Sequence, residues 1–344
     1  MTERKSNLEL LRILCMCGII FIHYVGADLG GAVVNGTFPN FSWFFVHFST
    51  SFFVPLVNCF VLISGYFMIF SRSFSLKKPL NILIICAFYG VISYIIALLA
   101  GARLHDGSIL YALFPYFWGK RWFVETYIIL ILLAPFMNKL LRSLGHQNYL
   151  LLMSVQLTLF CVWYSLGLSA PLLDDGYGII NFLTLYMLGG YVRLYGAERK
   201  WLNLRKRCYG LIFVACSLVT FALSYFINPY GYAFITNIFG ALAAFLFFLK
   251  WDLGSNHVIN RISASSFDVY FVHSDINTSR LLIYHLLGAK FVTDTPWMLL
   301  HVLLVILAMW MLGFITYTLR KRLFAITVDR WLDRIRWITQ CREI

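Results

Sequence analysis

Of 344 residues, 60% are hydrophobic and 18% aromatic while only 12% are charged, a balance that excludes soluble two-domain enzymes, nucleic-acid binders and disordered chains. The apolar residues come in runs of about twenty, the length that carries a helix across ~30 Å of hydrocarbon, so the chain reads as an all-α polytopic membrane protein. The formal net charge of +13 does not argue for a nucleic-acid partner, because 22 of the 28 Lys and Arg fall in alternate loops, as the positive-inside bias of membrane proteins requires.

Ten spans are expected in chain order, at about 8–26, 42–70, 79–100, 122–142, 148–168, 178–195, 208–227, 231–250, 264–286 and 297–319. The first run opens at Arg4 and Lys5 and ends at His23 and Tyr24 with no small-residue cleavage pattern, so it reads as a retained span rather than a signal peptide. The basic loops after the even-numbered spans, with Arg72, Lys77 and Lys78 in the first of them, place both termini in the cytoplasm. The chain divides into a transmembrane domain, 1–320, and a C-terminal segment, 321–344. In the latter, Phe324, Trp331, Ile335 and Trp337 alternate with Arg330, Arg334 and Arg336, the makeup of an interfacial helix resting on anionic membrane lipid. The eight cysteines form no CxxC or CxxH spacing, so neither a disulfide framework nor a metal site is expected.

Ionisable residues within spans are costly and therefore mark function by default. In the first span Arg12 and His23 are eleven residues apart, three turns plus about 20°, which puts them on one helix face ~16 Å apart along the axis. A guanidinium near the cytoplasmic end suits phosphate, and an imidazole deeper in suits general-base work near neutral pH. A donor with phosphates at one end and a reactive group on an extended arm would bridge them, and acyl-coenzyme A has that form. In the ninth span Ser266, Tyr270, His273, Asn277, Arg280 and Tyr284 fall within an arc of about 80°. This stripe reads either as the wall of a polar tunnel, with His273 orienting His23 or the thioester, or as an interhelical hydrogen-bonding seam. Asp268 and Asp275 lie on another arc. Gly189 and Gly190 read as a close helix packing site, His47 and His105 fall near the outer face, and Asn35-Gly36-Thr37 fits a glycosylation acceptor.

The segment Glu3 to Tyr24, ERKSNLELLRILCMCGIIFIHY, resembles the opening of the acyltransferase 3 family of integral membrane acyltransferases, whose hallmark is an Arg, ten residues, then a His in the first span. Arg12 and His23 match it. Val61 to Met68, VLISGYFM, is similar to the family's SGY-type end of the second span; Trp122 to Asn138 to its WF…Y…PxxN helix; Phe182 to Arg193 to its YxxGxY span; and Ser266 to Ser274 to its SxxxYxxH signature.

The resemblance implies an enzyme that moves an acyl group, acetyl first among them, from cytoplasmic acyl-coenzyme A to a hydroxyl of a cell-surface polysaccharide or lipid-linked glycan. It implies a multi-pass location in a cell membrane, with the bacterial cytoplasmic membrane as the expected one. His23 is then the catalytic base. Arg12, Lys77, Lys78 and Tyr66 are donor-binding candidates at an inner mouth, and His273, Asn277, Glu125 and Trp122 are tunnel or orienting candidates. No metal is expected. The basic loop departs from the family's RxR-like pair by offering Arg72, Lys77 and Lys78, so the donor phosphates would meet point charges instead of a fork. Glu125, three residues after Trp122, only loosely echoes the WSLxxE helix of some relatives. The rival reading is a non-catalytic transporter or flippase of a glycan or acyl donor, which needs a cavity but no base aligned with a phosphate site.

Overall fold

The computed structural model describes residues 5–26, 40–101, 109–114, 121–168, 174–275, 280–292, 295–335 and 342–343. In chain order the helices are α1 Ser6–Val25, α2 Phe41–Met68, α3 Lys77–Leu99, α4 Ile109–Leu113, α5 Trp122–Ser143, α6 His146–Ser165, α7 Ile179–Tyr195, α8 Lys206–Leu223, α9 Ile235–Leu249, α10 His257–Ser263, α11 Ser266–Ser274, α12 Arg280–Leu286, α13 Ala289–Val292, α14 Met298–Ile326 and α15 Val328–Arg334. One antiparallel pair of two-residue strands, β1 Ser73–Phe74 and β2 Arg342–Glu343, is the sheet among the described residues.

Also among the described residues, seven helices are long and apolar enough to cross a membrane: α1, α2, α3, α5, α6, α8 and the run formed by α14 and α15. Leu303, Leu307, Met311 and Leu319 of α14 and Leu211 of α8 are exposed, a face of large apolar side chains suited to lipid and not to water.

The other three expected spans take different forms. Helices α7 and α9 have 17 and 15 residues, most of them buried against α2 and its neighbours, so protein encloses them. The stretch 264–286 is broken. Helix α11 stops at Ser274, Asp275 turns extended at φ −82° and ψ 125°, and α12 resumes at Arg280 with wide π-type turns. The break has a tertiary cause, because the Asp275 carboxylate is held from outside the helix by Ser93 and Arg121. The six-residue polar stripe expected on one continuous wheel is therefore divided, and Tyr284 belongs to a separate segment. At the C-terminal end α14 runs on through residue 320 to Ile326 before the short α15 begins.

Small and amide side chains fix the helix crossings. A Cβ on Gly65 would fall on the Tyr186 carbonyl, and one on Gly189 on the Leu62 carbonyl, so α2 and α7 cross backbone to backbone. Asn138 of α5, wholly buried, donates to the carbonyls of Met68 at 2.6 Å and Ser71 at 3.0 Å and accepts from the Tyr186 hydroxyl at 2.8 Å. That amide ties the end of α2 to α5 and α7. The start of α1 is fastened too: Ser6 Oγ donates to Asn260 at 2.9 Å and accepts from the Asn256 backbone at 2.6 Å, while Asn7 donates to the Phe248 carbonyl at 2.9 Å. Two buried apolar clusters result, one about α2, α7 and α9 and one about α1, α11 and α14. Phe60, Trp122, Phe123 and Tyr127 pack against both, and the candidate site lies along that seam.

Candidate active site

Arg12, Met16, Ile19 and His23 follow one another at helical spacing on α1, and all four line a single cavity of about 390 Å³. The opposite walls come from Phe60 and Ser64 of α2, Lys78 and Asn81 of α3, Trp122 and Tyr127 of α5, and Ser263, Ser266 and Tyr270 around α10 and α11. At one end Arg12 Nη1 donates to Glu9 Oε1 at 2.7 Å, and Glu9 Oε2 accepts from Ser263 at 2.5 Å. Glu9 is buried and the Arg12 side chain is about a quarter exposed, so the carboxylate fixes the guanidinium at the cavity wall. A guanidinium carries five N–H donors, more than Glu9 uses. Lys78 supplies a second cation, with Nζ 5.8 Å from the Tyr127 ring centre.

At the other end the His23 ring lies 5.1 Å from that of His273 and 6.5 Å from that of Tyr270, centre to centre. His273 is wholly buried behind His23, and its Nδ1 bonds the Val269 carbonyl at 2.6 Å. A carbonyl only accepts, so Nδ1 carries a proton in this bond. The next residue on α1 is positioned by the same logic. His301 Nε2 donates to the Leu287 carbonyl at 2.8 Å, which leaves Nδ1 to accept from the Tyr24 hydroxyl at 2.9 Å. Beside the His23 end, Trp122 stacks on Tyr232 at 5.2 Å and meets Tyr177 edge-on at 4.6 Å, a flat aromatic wall.

One cavity thus joins a cationic end to an imidazole along a single helix face, and a family model described as an acyltransferase domain matches residues 5–329, essentially the whole chain. The chain belongs to the acyltransferase 3 family. With its long apolar helices it is a multi-pass membrane acyltransferase. No curated protein and no solved structure gives a significant match to it.

Four other residues that the sequence placed at the acyltransferase's site stand away from the cavity. Lys77 pairs with Asp333 of α15 at 2.5 Å, both side chains being exposed; neighbours on a helix point about 100° apart, and Lys78 has the inward direction. Tyr66 lies two residues beyond Ser64 and so on the far side of α2, where its hydroxyl accepts from Arg193 at 3.1 Å and its ring faces that guanidinium at 5.0 Å. Glu125 accepts from the Arg121 backbone N–H at 3.1 Å and caps the first turn of α5. His273 sits behind His23 instead of on the cavity wall. Asn277, His105 and the Asn35-Gly36-Thr37 tripeptide lie outside the described residues.

Other residues of the acyltransferase escaped the sequence reading. Asn81 is a lone amide in the apolar run NILIIC, one turn after Lys78, and its only signal is that spacing. Glu9, three residues before Arg12, carries the i,i+3 spacing of an ion pair. Arg121, just before α5, is 2% exposed and donates to Ser274 at 2.5 Å and Asp275 at 3.1 Å. Asp268, unexplained in the sequence, accepts from Arg320 Nε at 2.5 Å and Nη2 at 3.0 Å and from the Tyr89 hydroxyl at 2.7 Å.

Proposed function

We propose that this acyltransferase moves an acyl group, acetyl first among them, from cytoplasmic acyl-coenzyme A to a hydroxyl of a cell-surface polysaccharide or lipid-linked glycan. The observation that carries the reading is the shared cavity of Arg12, Lys78 and His23. Its volume of about 390 Å³ is at the small end of ligand pockets, room for an extended arm but not for a nucleotide as well. The nucleotide and its phosphates then stay at the Arg12 end, where a guanidinium and an ammonium favour them, and the thioester is drawn in toward His23.

His23 takes the proton of the acceptor hydroxyl as its oxygen attacks the thioester carbonyl. The carbon–sulfur bond breaks, and the imidazolium returns the proton to the departing thiolate, so the ester and free coenzyme A form with no net proton change. His273, packed on His23, holds the ring that does this. The wall of Trp122, Tyr177 and Tyr232 offers the acceptor flat faces on which a sugar ring can stack. The reading also puts both termini in the cytoplasm and lets the basic C-terminal segment rest on anionic membrane lipid.

The test is transfer by purified protein supplied with labelled acetyl-coenzyme A and the glycan of its host membrane. His23→Ala should lower the rate by ~10²- to 10⁴-fold while folding and coenzyme A binding persist. Near-normal transfer by the folded variant would remove His23 from the chemistry, and wild-type protein that binds both substrates without cleaving the thioester would favour the carrier.

A further inference from the structure

A second cavity, of about 270 Å³, lies where α1, α2, α8 and α9 meet, and its lining is apolar throughout. Leu14 of α1, Leu56 of α2, Gly210 and Phe213 of α8, and Ala244 and Phe247 of α9 are among the residues that form it. Leu14 follows Arg12 by two residues, about 200° round the helix, so the space is on the back of α1 and separate from the active-site cavity. It opens sideways: Leu14 and Val214, both lining it, are 41% and 40% exposed. Since α1 and α8 are each long and apolar enough to cross the membrane, a groove on their flanks is entered from hydrocarbon and not from water.

One end of this groove is cationic. Lys206 is the first residue of α8; Gly210 and Phe213 follow it within about 60° of the same helix face, ~6 and ~10 Å further along the axis. Trp251, just past the end of α9, packs on Phe247 and Phe248 at 5.6 and 5.7 Å between ring centres, and Lys206 Nζ stands 5.6 Å from the Trp251 ring centre. Lys250 is drawn to the same place, with Nζ donating to Asn203 at 2.9 Å ahead of α8. Arg205 and Arg207 flank Lys206, and all four cations are exposed. Among the described residues none of the four forms an ion pair. The carboxylate closest to them in sequence, Asp252, accepts from the Gly254 backbone N–H at 3.3 Å. The start of α8 and the end of α9 thus set an ammonium, an indole and a hydrocarbon groove in that order from surface to interior, which is the order of polarity in a phospholipid.

We propose that the groove is a binding site for one anionic phospholipid. Its headgroup phosphate lies beside Lys206 and Lys250, its glycerol backbone at the level of Trp251, and one acyl chain along Gly210, Phe213 and Phe247. The unpaired cations select a negative headgroup, because a zwitterionic one brings its own ammonium against them. The chain rests against the back of the helix that carries Arg12 and His23.

Lipid retention tests this on the intact purified protein, equilibrated in detergent with equal amounts of phosphatidylglycerol and phosphatidylcholine of the same chains, with the bound lipid counted by native mass spectrometry. Wild type should keep one phosphatidylglycerol in preference to phosphatidylcholine. Lys206→Gln combined with Lys250→Gln should lower that preference about tenfold. Gly210→Leu, whose Cβ meets the Phe247 ring at 3.4 Å and whose side chain fills the groove, should abolish retention of either lipid. Equal retention of the two lipids by wild type would reduce the groove to ordinary lipid-facing surface and overturn the inference. A charge variant with the wild-type preference, or a folded Gly210→Leu with the wild-type lipid, would overturn it as well. So would release of the lipid by inorganic phosphate, which would make the cations a site for a soluble anion. Should Gly210→Leu fail to fold, Val214→Trp, at the exposed rim, decides.

Discussion

Glu9 changes what can be asked of Arg12. With a carboxylate 2.7 Å away, the local pair is close to neutral, and the excess positive charge at that end of the cavity comes from Lys78. Arg12 therefore contributes a fixed fork of N–H groups more than a field. Arg12→Lys keeps the charge and loses the fork, so it should raise the KM for acyl-coenzyme A with little change in kcat; an unchanged KM would make Arg12 a partner of Glu9 alone. Lys77 and Lys78 provide an internal control. Lys78→Ala should raise the same KM, whereas Lys77→Ala should leave it within twofold, because the exposed Lys77–Asp333 pair is worth ~0–1 kcal/mol at most. Equal effects in steady-state kinetics would mean that both lysines see the donor. The sequence could not have ranked the two: nothing in KK says which residue turns inward until the position of α3 is known. It did align Arg12 with His23, because eleven residues within one helix determine a shared face without help from tertiary structure.

Helix α11 has nine residues, too few to hold itself in place, yet it carries Tyr270 and His273. It is held at both ends by arginines from other helices or their approaches. Arg320 of α14 grips Asp268 with two nitrogens, and Arg121, just before α5, grips Ser274 and Asp275. The aspartates are what the polar-stripe reading could not place, since their partners are 52 and 154 residues away in sequence and no local pattern announces them. The same long-range contact ends α11 where hydropathy alone continues the span to residue 286. Asp268 and Arg320 are both largely buried, so removing one partner strands the other charge. Asp268→Ala should cost about 3–5 kcal/mol, read as a lowered unfolding temperature in detergent. The double replacement Asp268→Leu with Arg320→Met should recover most of it, because an apolar pair needs no desolvation offset. Failure of the double variant to recover would show that the pair orients α11 rather than merely neutralising a charge.

The molecule as a whole is two apolar clusters with a polar seam, and the seam runs along α1 because that helix alone carries both the cation and the base. Hydropathy located the long lipid-facing helices well, α14 most plainly, since apolar length is a local property. Helices α7 and α9, with 17 and 15 residues, are shorter than the expected spans, because a helix enclosed by protein is as apolar as one that faces lipid and need not be as long. The positive-inside pattern adds what helix lengths lack, an expected direction: it assigns the basic loops that hold Lys77, Lys78 and the cations after α7 to the cytoplasm, and the proposed donor route puts the Arg12 end of the cavity on that side. Sealed vesicles test this on the whole protein. In inside-out vesicles, acetyl-coenzyme A added to the bath should be consumed in a His23-dependent way. In right-side-out vesicles of equal protein content it should persist until a pore-forming detergent is added, because a donor bearing phosphates does not cross the bilayer unaided. Turnover in right-side-out vesicles alone would invert the molecule in the membrane, and it would place the Arg12 end, and the donor with it, on the outer face.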